Sequence, residues 1–135
     1  MPPPSRKSKP LPLPSASELD ILAALWRLGP ATVREVHDAL GKDNGYTTTL
    51  KQMQLMHEKG LLARSERFRS HVYEPGIPKQ QIQQQVARDV LARVFDSSAA
   101  TLVMGALAAQ PASPEEVAEI RKMLADYAKE KGRPQ

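Results

Sequence analysis

The sequence predicts a mostly α-helical protein in which three short helices and a two-stranded hairpin precede a second, purely helical segment. Apolar residues recur at helical spacing along most of the chain, and the pattern changes to that of strands between residues 61 and 74. Glycine or proline stands at most of the points where the pattern changes. A chain of 135 residues suits one domain, or two small lobes that share a short connection.

The first two predicted helices each have a start and a stop signal. Ser15-Ala16-Ser17-Glu18 offers a cap with capping-box spacing, and Gly29-Pro30 ends the first helix. Thr32 caps the second helix with Glu35 three residues later, and Gly41 ends it. The predicted inward stripes consist of Leu19, Leu22, Ala23, Leu25 and Trp26 in the first helix and of Val33, Val36, Ala39 and Leu40 in the second.

After a turn at Asp43-Asn44-Gly45, a third helix is predicted from Tyr46 to Lys59, with Gly60 directly after its end. Leu61–Arg67 and His71–Glu74 then have the pattern of two short strands joined by a bend. The inward residues of the third helix are Leu50, Met53 and Met56. Three helices and a hairpin within about 60 residues are the order of a winged helix-turn-helix.

Three further helices are predicted at about 79–95, 98–109 and 115–130, with Ser97 and Ser113-Pro114 as start signals for the last two. This segment is too small to build a good core alone, so we expect its apolar stripes to pack against a second copy. The alternative is a monomer whose last helices fold back on the winged segment. The expected dimerisation residues are Val86, Val90, Val94, Leu102, Val103, Leu107, Ile120 and Leu124.

Composition restricts the function. The net charge is +4, and residues 46–73 hold five of the lysines and arginines against two acidic residues, which permits an anionic partner such as nucleic acid. The absence of cysteine excludes disulfides, thiolate metal clusters and cysteine nucleophiles. Because there is neither a long apolar run nor a secretory signal, we expect a cytoplasmic protein without membrane insertion.

The third helix carries the residues expected to contact DNA. With its apolar residues inward, the opposite side presents short hydrogen-bonding groups and a cation, together with Gln54 or Leu55, and such groups can meet base edges in the major groove. The threonines at its start also suit phosphate contact, because free N–H groups point outward there. The alternative is an ordinary solvated helix face. The candidates are Thr47, Thr48, Thr49, Lys51 and Gln52.

The predicted hairpin adds Arg64, Arg67 and Arg69, which can contact the DNA backbone or the minor groove. Alternatively, these charges keep a short edge hairpin soluble. An exposed aromatic at a bend usually contacts something, so Phe68 is expected either to pack back on the protein or to insert beside DNA.

Neither a metal site nor an active site is expected. His37, His57 and His71 lack metal-ligand spacing, and no nucleophile stands with a base or a phosphate-binding loop. The sequence therefore predicts a protein that is not an enzyme and needs no cofactor.

Several motifs resemble the penicillinase-repressor (BlaI/MecI/CopY) family over nearly all of residues 17–130. They are Glu18-Leu19-Asp20-Ile21-Leu22 with Leu25-Trp26, Gly29-Pro30-Ala31-Thr32-Val33-Arg34-Glu35-Val36, Tyr46-Thr47-Thr48-Thr49-Leu50, Lys59-Gly60-Leu61-Leu62 and Val72-Tyr73-Glu74-Pro75. The resemblance implies a winged-helix repressor that dimerises through its C-terminal helices and binds a palindromic operator of double-stranded DNA. It also implies release by a membrane sensor protease or by metal.

The chain departs from this family at the positions that bear on release. Proteolysed members carry an Asn-Phe pair where this chain has Gly105-Ala106, and copper-sensing members carry C-terminal cysteines that this chain lacks. Phe68 replaces the usual wing glycine, and Leu55 stands where a basic residue is frequent. A sensor protease therefore stays an open possibility.

The expected domains are a disordered Pro-rich basic arm at 1–14, a winged-helix DNA-binding domain at 15–77 and a three-helix dimerisation domain at 78–132. The arm holds six of the twelve prolines, and is either an adventitious tail or a contact to DNA backbone. The expected function is a homodimeric DNA-binding transcriptional repressor. The alternative is a winged-helix protein-interaction module that does not bind DNA.

Overall fold

The structure, a computed structural model, describes residues 13–41 and 45–132. Within these ranges the elements follow in the order α1 Ala16–Leu28, α2 Val33–Leu40, α3 Tyr46–Lys59, β1 Leu62–Arg67, β2 Ser70–Pro75, α4 Lys79–Val94, α5 Ala99–Ala109 and α6 Pro114–Lys131. The predicted class, mostly α-helical with a hairpin after three helices, is confirmed. Most of the predicted arm and Asp43-Asn44 of the predicted turn lie outside the described residues. Pro14, which was expected to belong to the arm, is buried.

The helices of the first half begin and end at the predicted signals. At α1, the Ser15 hydroxyl accepts the N–H of Glu18 at 3.2 Å, and the Glu18 carboxylate accepts the N–H of Ser15 at 2.9 Å. Thr32 and Glu35 form the same reciprocal pair at α2, at 3.2 and 2.8 Å. Gly60 ends α3 with a φ of 87°, the left-handed conformation that favours glycine.

Strands β1 and β2 form an antiparallel hairpin, here called the wing, in which Leu62 lies opposite Pro75 and Arg67 opposite Ser70. Ala31 pairs with the outer edge of β2: its N–H donates to the Tyr73 carbonyl at 3.0 Å, and its carbonyl accepts the N–H of Tyr73 at 2.8 Å. This bridge ties the segment between α1 and α2 to the wing. Sequence patterns did not predict it, because a single residue shows no alternation.

The described residues divide into two compact units, one ending at Arg88 and the other beginning at Asp89. The first unit has a closed apolar core, contributed by α1, α2, α3, the wing and the start of α4. Residues that are at most 1% exposed are Ile21, Leu22, Ala24, Leu25, Val36, Met53, Met56, Leu61, Tyr73 and Ile82. This burial removes enough apolar surface from water to hold α3 and the wing in place.

The second unit contains α5, α6 and the end of α4, and neither α5 nor α6 buries any of its described residues. A β-carbon on Gly105 would lie 3.1 Å from the ring of Phe95, so glycine at this position lets the ring approach the α5 backbone. This unit therefore contains a close local contact, but it leaves large apolar side chains of α5 and α6 exposed to solvent. The expectation that this segment lacks a full core of its own is confirmed.

Two details of the helices differ from the sequence predictions. Ala39 was predicted to face inward and is exposed, because the eight-residue α2 turns Val33 and Val36 to the core. Ser98 caps α5, with its hydroxyl accepting the N–H of Thr101 at 3.1 Å, whereas Ser97 has a φ of 58° and cannot adopt the extended cap conformation.

The division between the two compact units also falls eleven residues after the expected domain boundary at 77/78. The reason lies in α4, whose first half belongs to the first unit. Ile82 is buried in the core of that unit, and Val86 packs against it. The assignment of functions to the two domains remains a prediction.

Candidate nucleic-acid interface

The outward face of α3 collects most of the residues predicted to contact DNA. Thr47, Thr48, Lys51 and Gln52 line one open groove together with Ser17 and Glu18 of α1. Leu55 and Lys59 continue this groove along α3, here called the α3 groove. Because Met53 and Met56 on the opposite side are fully buried, the helix presents one face to the core and the other to solvent.

Thr49 faces the other way. It is 5% exposed, and its hydroxyl lies 2.9 Å from Nδ1 of His37, which ties α3 to α2. Thr49, Met53 and Met56 follow the i, i+4, i+7 spacing of one helix face. This threonine therefore supports the helix from inside, and we leave it out of the DNA-contacting set.

Two contacts fix α3 against the start of α1. The side-chain amide of Gln52 donates to the Ser17 hydroxyl at 2.7 Å, and Nζ of Lys59 lies 2.6 Å from a carboxylate oxygen of Glu18. Burial raises the pKa of Glu18, but the hydrogen bonds from Lys59 and Ser15 and the charge of Lys59 outweigh it, so this pKa lies below its ordinary value. The paired carboxylate thus stays ionised while it holds both helix ends.

The amino-terminal end of α3 is open. Gly45 precedes the helix and no side chain caps it, while the N–H groups of Thr48 and Thr49 reach back to the Gly45 carbonyl at 3.1 and 3.4 Å. The N–H groups of the preceding helical residues have no helical acceptor, and an anion can bind at such an end.

The three arginines of the wing have different surroundings. Arg67 forms an ion pair with Glu35 at 3.8 Å, with both side chains half exposed. The hydrogen bond from the Thr32 backbone, followed by smaller effects that include the charge of Arg67, holds the pKa of Glu35 below its ordinary value. Arg64 and Arg69 are exposed and have no ion-pair partner in residues 13–41 and 45–132.

Sequence reasoning overlooked Arg34. Its guanidinium lies 4.3 Å from the ring centroid of Tyr46, the first residue of α3, in a cation–π contact. Both residues border a cavity of about 260 Å³ that Ser70, His71 and Tyr73 of β2 also line. The sequence carried only a weak indication of this contact, because Arg34 is a single exposed charge on an outer helix face and its aromatic partner lies twelve residues further along the chain.

The second unit presents an apolar surface on α5 and α6. Val103 and Leu107 are each 41% exposed, and with Leu102 and Ile120 they line a groove of about 350 Å³. Val94 and Leu124 are also exposed, and Val90 is half buried. Val86 differs from the other predicted dimerisation residues, because it packs on the core of the first unit.

Within the described ranges, no group of three or more histidines and carboxylates stands close enough to hold a metal ion. His37 contacts Thr49, and His71 lies 3.7 Å from Glu66 on the wing. In the same ranges, no individual helix combines the length and the apolar character that crossing a membrane requires.

Comparison with known proteins identifies the family to which the chain belongs. A family model described as the penicillinase repressor matches residues 14–126. The chain belongs to the penicillinase repressor family. This membership confirms the resemblance inferred from the motifs, and the matched range begins at the buried Pro14 and includes most of α6.

Relatives in the penicillinase repressor family differ in how much of the chain they match. The transcriptional regulator BlaI of Mycobacterium tuberculosis, in strains CDC 1551 / Oshkosh and ATCC 25618 / H37Rv, is 34% identical over 83 residues, which are 59% of this chain and 60% of the relative. The penicillinase repressor of Bacillus licheniformis is 24% identical over 121 residues, or 88% of this chain and 94% of the relative. The chain thus aligns with about three-fifths of the length of the mycobacterial relatives.

Proposed function

We propose that this chain is a cytoplasmic transcriptional repressor, not an enzyme, that binds a palindromic DNA operator as a homodimer. The observation that carries the proposal is the two-sided character of α3. Its inner face is locked into the core by Met53 and Met56, while Thr48, Lys51 and Gln52 share the outer groove. Family membership and the names of the relatives support the same function.

The α3 groove matches the chemistry of base edges in the major groove. Lysine can donate to guanine or phosphate, glutamine can pair with adenine, and threonine and leucine methyl groups can contact the thymine methyl. Leu55, which is 46% exposed, adds an apolar contact that favours thymine. The amide nitrogen of Gln52 has two hydrogens, so one can donate to Ser17 while the other, together with the amide oxygen, pairs with a base.

Phosphate contacts position this helix without reading sequence. The uncapped start of α3 and the exposed Arg64 and Arg69 supply such contacts from two sides of the helix. Arg67 contributes less, because Glu35 already neutralises part of its charge.

A palindromic site requires two copies related by a twofold axis. The apolar side chains of α5 and α6, none of which is fully buried within their own unit, supply the surface for this pairing. Pairing through Leu102, Val103, Leu107 and Ile120 would cover the groove that they line.

Selection from a random double-stranded DNA library tests the function. The full chain should enrich inverted repeats, and Lys51→Ala should bind the enriched duplex more weakly, with a salt slope lower by about 1 per half-site if Lys51 contacts phosphate. Failure to enrich any sequence at low salt would contradict the proposal and favour a winged-helix module that binds protein instead.

A further inference from the structure

The tip of the wing combines two unfavourable features. Phe68 is 92% exposed, and both residues of the two-residue loop have positive φ, 52° at Phe68 and 66° at Arg69. Two-residue loops with positive φ at both positions are usually built from asparagine, aspartate or glycine, because a β-carbon is disfavoured there. Against the described residues of the first unit, this bulky aromatic gains almost no packing, so the ring is available to contact a partner.

The surroundings of Phe68 identify the partner by charge. Arg67 and Arg69 flank Phe68 in the chain and Arg64 stands on the same hairpin, although Glu35 pairs with Arg67 and leaves Arg64 and Arg69 as the main cations of the wing. The acidic residue closest in sequence, Glu66, faces His71. An apolar ring within a cluster of cations fits a surface whose rim is anionic and whose interior is less polar. The minor groove of DNA has this character, with phosphates at its edges and deoxyribose along its walls.

We propose that Phe68 inserts into the minor groove beside each half-site while Arg69 contacts the flanking phosphate. This assignment rests on the proposed function, because it requires α3 to lie in the adjacent major groove. The two residues then contribute differently. The neutral ring adds affinity through buried apolar area, whereas Arg69 adds affinity through counterion release.

The test compares Phe68→Asn, Phe68→Trp and Arg69→Ala on the duplex obtained by selection. Asparagine tolerates positive φ, so Phe68→Asn keeps the turn and removes only the ring. We expect Phe68→Asn to lose about ten- to a hundredfold in affinity per half-site, as loss of a buried phenylalanine implies, with an unchanged salt slope. Phe68→Trp should bind nearly as tightly as the original chain, and Arg69→Ala should lower the salt slope by about 1 per half-site.

Hydroxyl-radical footprinting locates the ring. At saturating protein, the original chain should protect deoxyriboses in the minor groove beside each half-site, and Phe68→Asn should leave them open. Equal affinities and equal footprints for the two proteins would overturn the role of Phe68 while leaving the repressor function intact. If the original chain bound no duplex in a salt-dependent manner, both the proposed function and this assignment would fall.

Discussion

Replacing Leu107 with Asp tests whether α5 and α6 hold the dimer. Leu107 is 41% exposed in the isolated chain. Complete burial of a leucine contributes about 1.5–3 kcal/mol, so covering the exposed share contributes about 0.6–1.2 kcal/mol per chain. A twofold interface counts this contribution twice, which gives about 1–2.5 kcal/mol per dimer. The new carboxylate adds a cost of a few kcal/mol unless it reaches water.

These contributions together raise the dissociation constant of the dimer at least about a hundredfold. Sedimentation velocity over a series of protein concentrations measures this change, and Leu102→Asp should behave in the same way. Leu28→Asp is the matched control, because Leu28 is 48% exposed at the end of α1 in the first unit. Far-UV circular dichroism verifies that each variant keeps its helices.

The prediction is refuted if Leu107→Asp and Leu102→Asp both dimerise as tightly as the original chain, since the interface would then lie elsewhere. It is refuted equally if Leu28→Asp dissociates the dimer to the same extent. In that case an added charge anywhere on the chain, and not the α5–α6 surface, would explain the loss.

Three further predictions concern DNA, acid and metal. Thr48→Ala should reduce the discrimination between matched and scrambled duplexes by about 1–3 kcal/mol. Arg69→Ala should instead weaken binding to both duplexes alike, and a sequence-selective loss from Arg69→Ala would contradict this assignment. Glu18→Gln should lower the free energy of unfolding by about 1–2 kcal/mol at neutral pH. The pKa of Glu18 is lower in the folded state than in the unfolded state. The ion pair with Lys59 therefore stabilises the fold at pH values above the unfolded-state pKa, and this contribution is lost as the pH falls through the folded-state pKa. Urea unfolding at fixed protein concentration should therefore show that the difference in unfolding free energy between the original chain and Glu18→Gln shrinks in acid. A difference that stays constant with pH would refute the role of the ion pair. Micromolar copper or zinc should leave DNA binding unchanged; release that disappears when His57 and His71 are both replaced by Ala would reveal a histidine sensor.

Local signals predicted the elements well because their causes lie within a few residues. The capping pairs Ser15–Glu18 and Thr32–Glu35 and the stop at Gly60 are short-range, so the bounds of the first three helices could be read from the sequence. The choice between Ser97 and Ser98 failed for the opposite reason. It depends on a backbone reversal with positive φ at Asp96 and Ser97, which no propensity specifies.

The sequence predicted which types of residue form the candidate interface, but only partly how those residues are arranged. Helical spacing placed Thr48, Lys51 and Gln52 on one face, and the α3 groove unites them. The bond between Gln52 and Ser17 joins residues 35 positions apart, and the contact of Arg34 with Tyr46 crosses between two helices. Such pairs follow from tertiary packing, which periodicity in a single sequence cannot supply.

The central claim is that a dimer reads two half-sites through α3, and the affinity for two duplexes at several salt concentrations tests it most directly. One duplex carries the selected inverted repeat, and the other has one half-site scrambled. Lys51, Arg64 and Arg69 give six cations per dimer, so the logarithm of affinity should fall with the logarithm of salt at a slope of about −5. Scrambling one half-site should weaken binding at least about thirtyfold, the equivalent of two lost base contacts of about 1 kcal/mol each. Equal affinity for both duplexes with a slope near zero would contradict the claim.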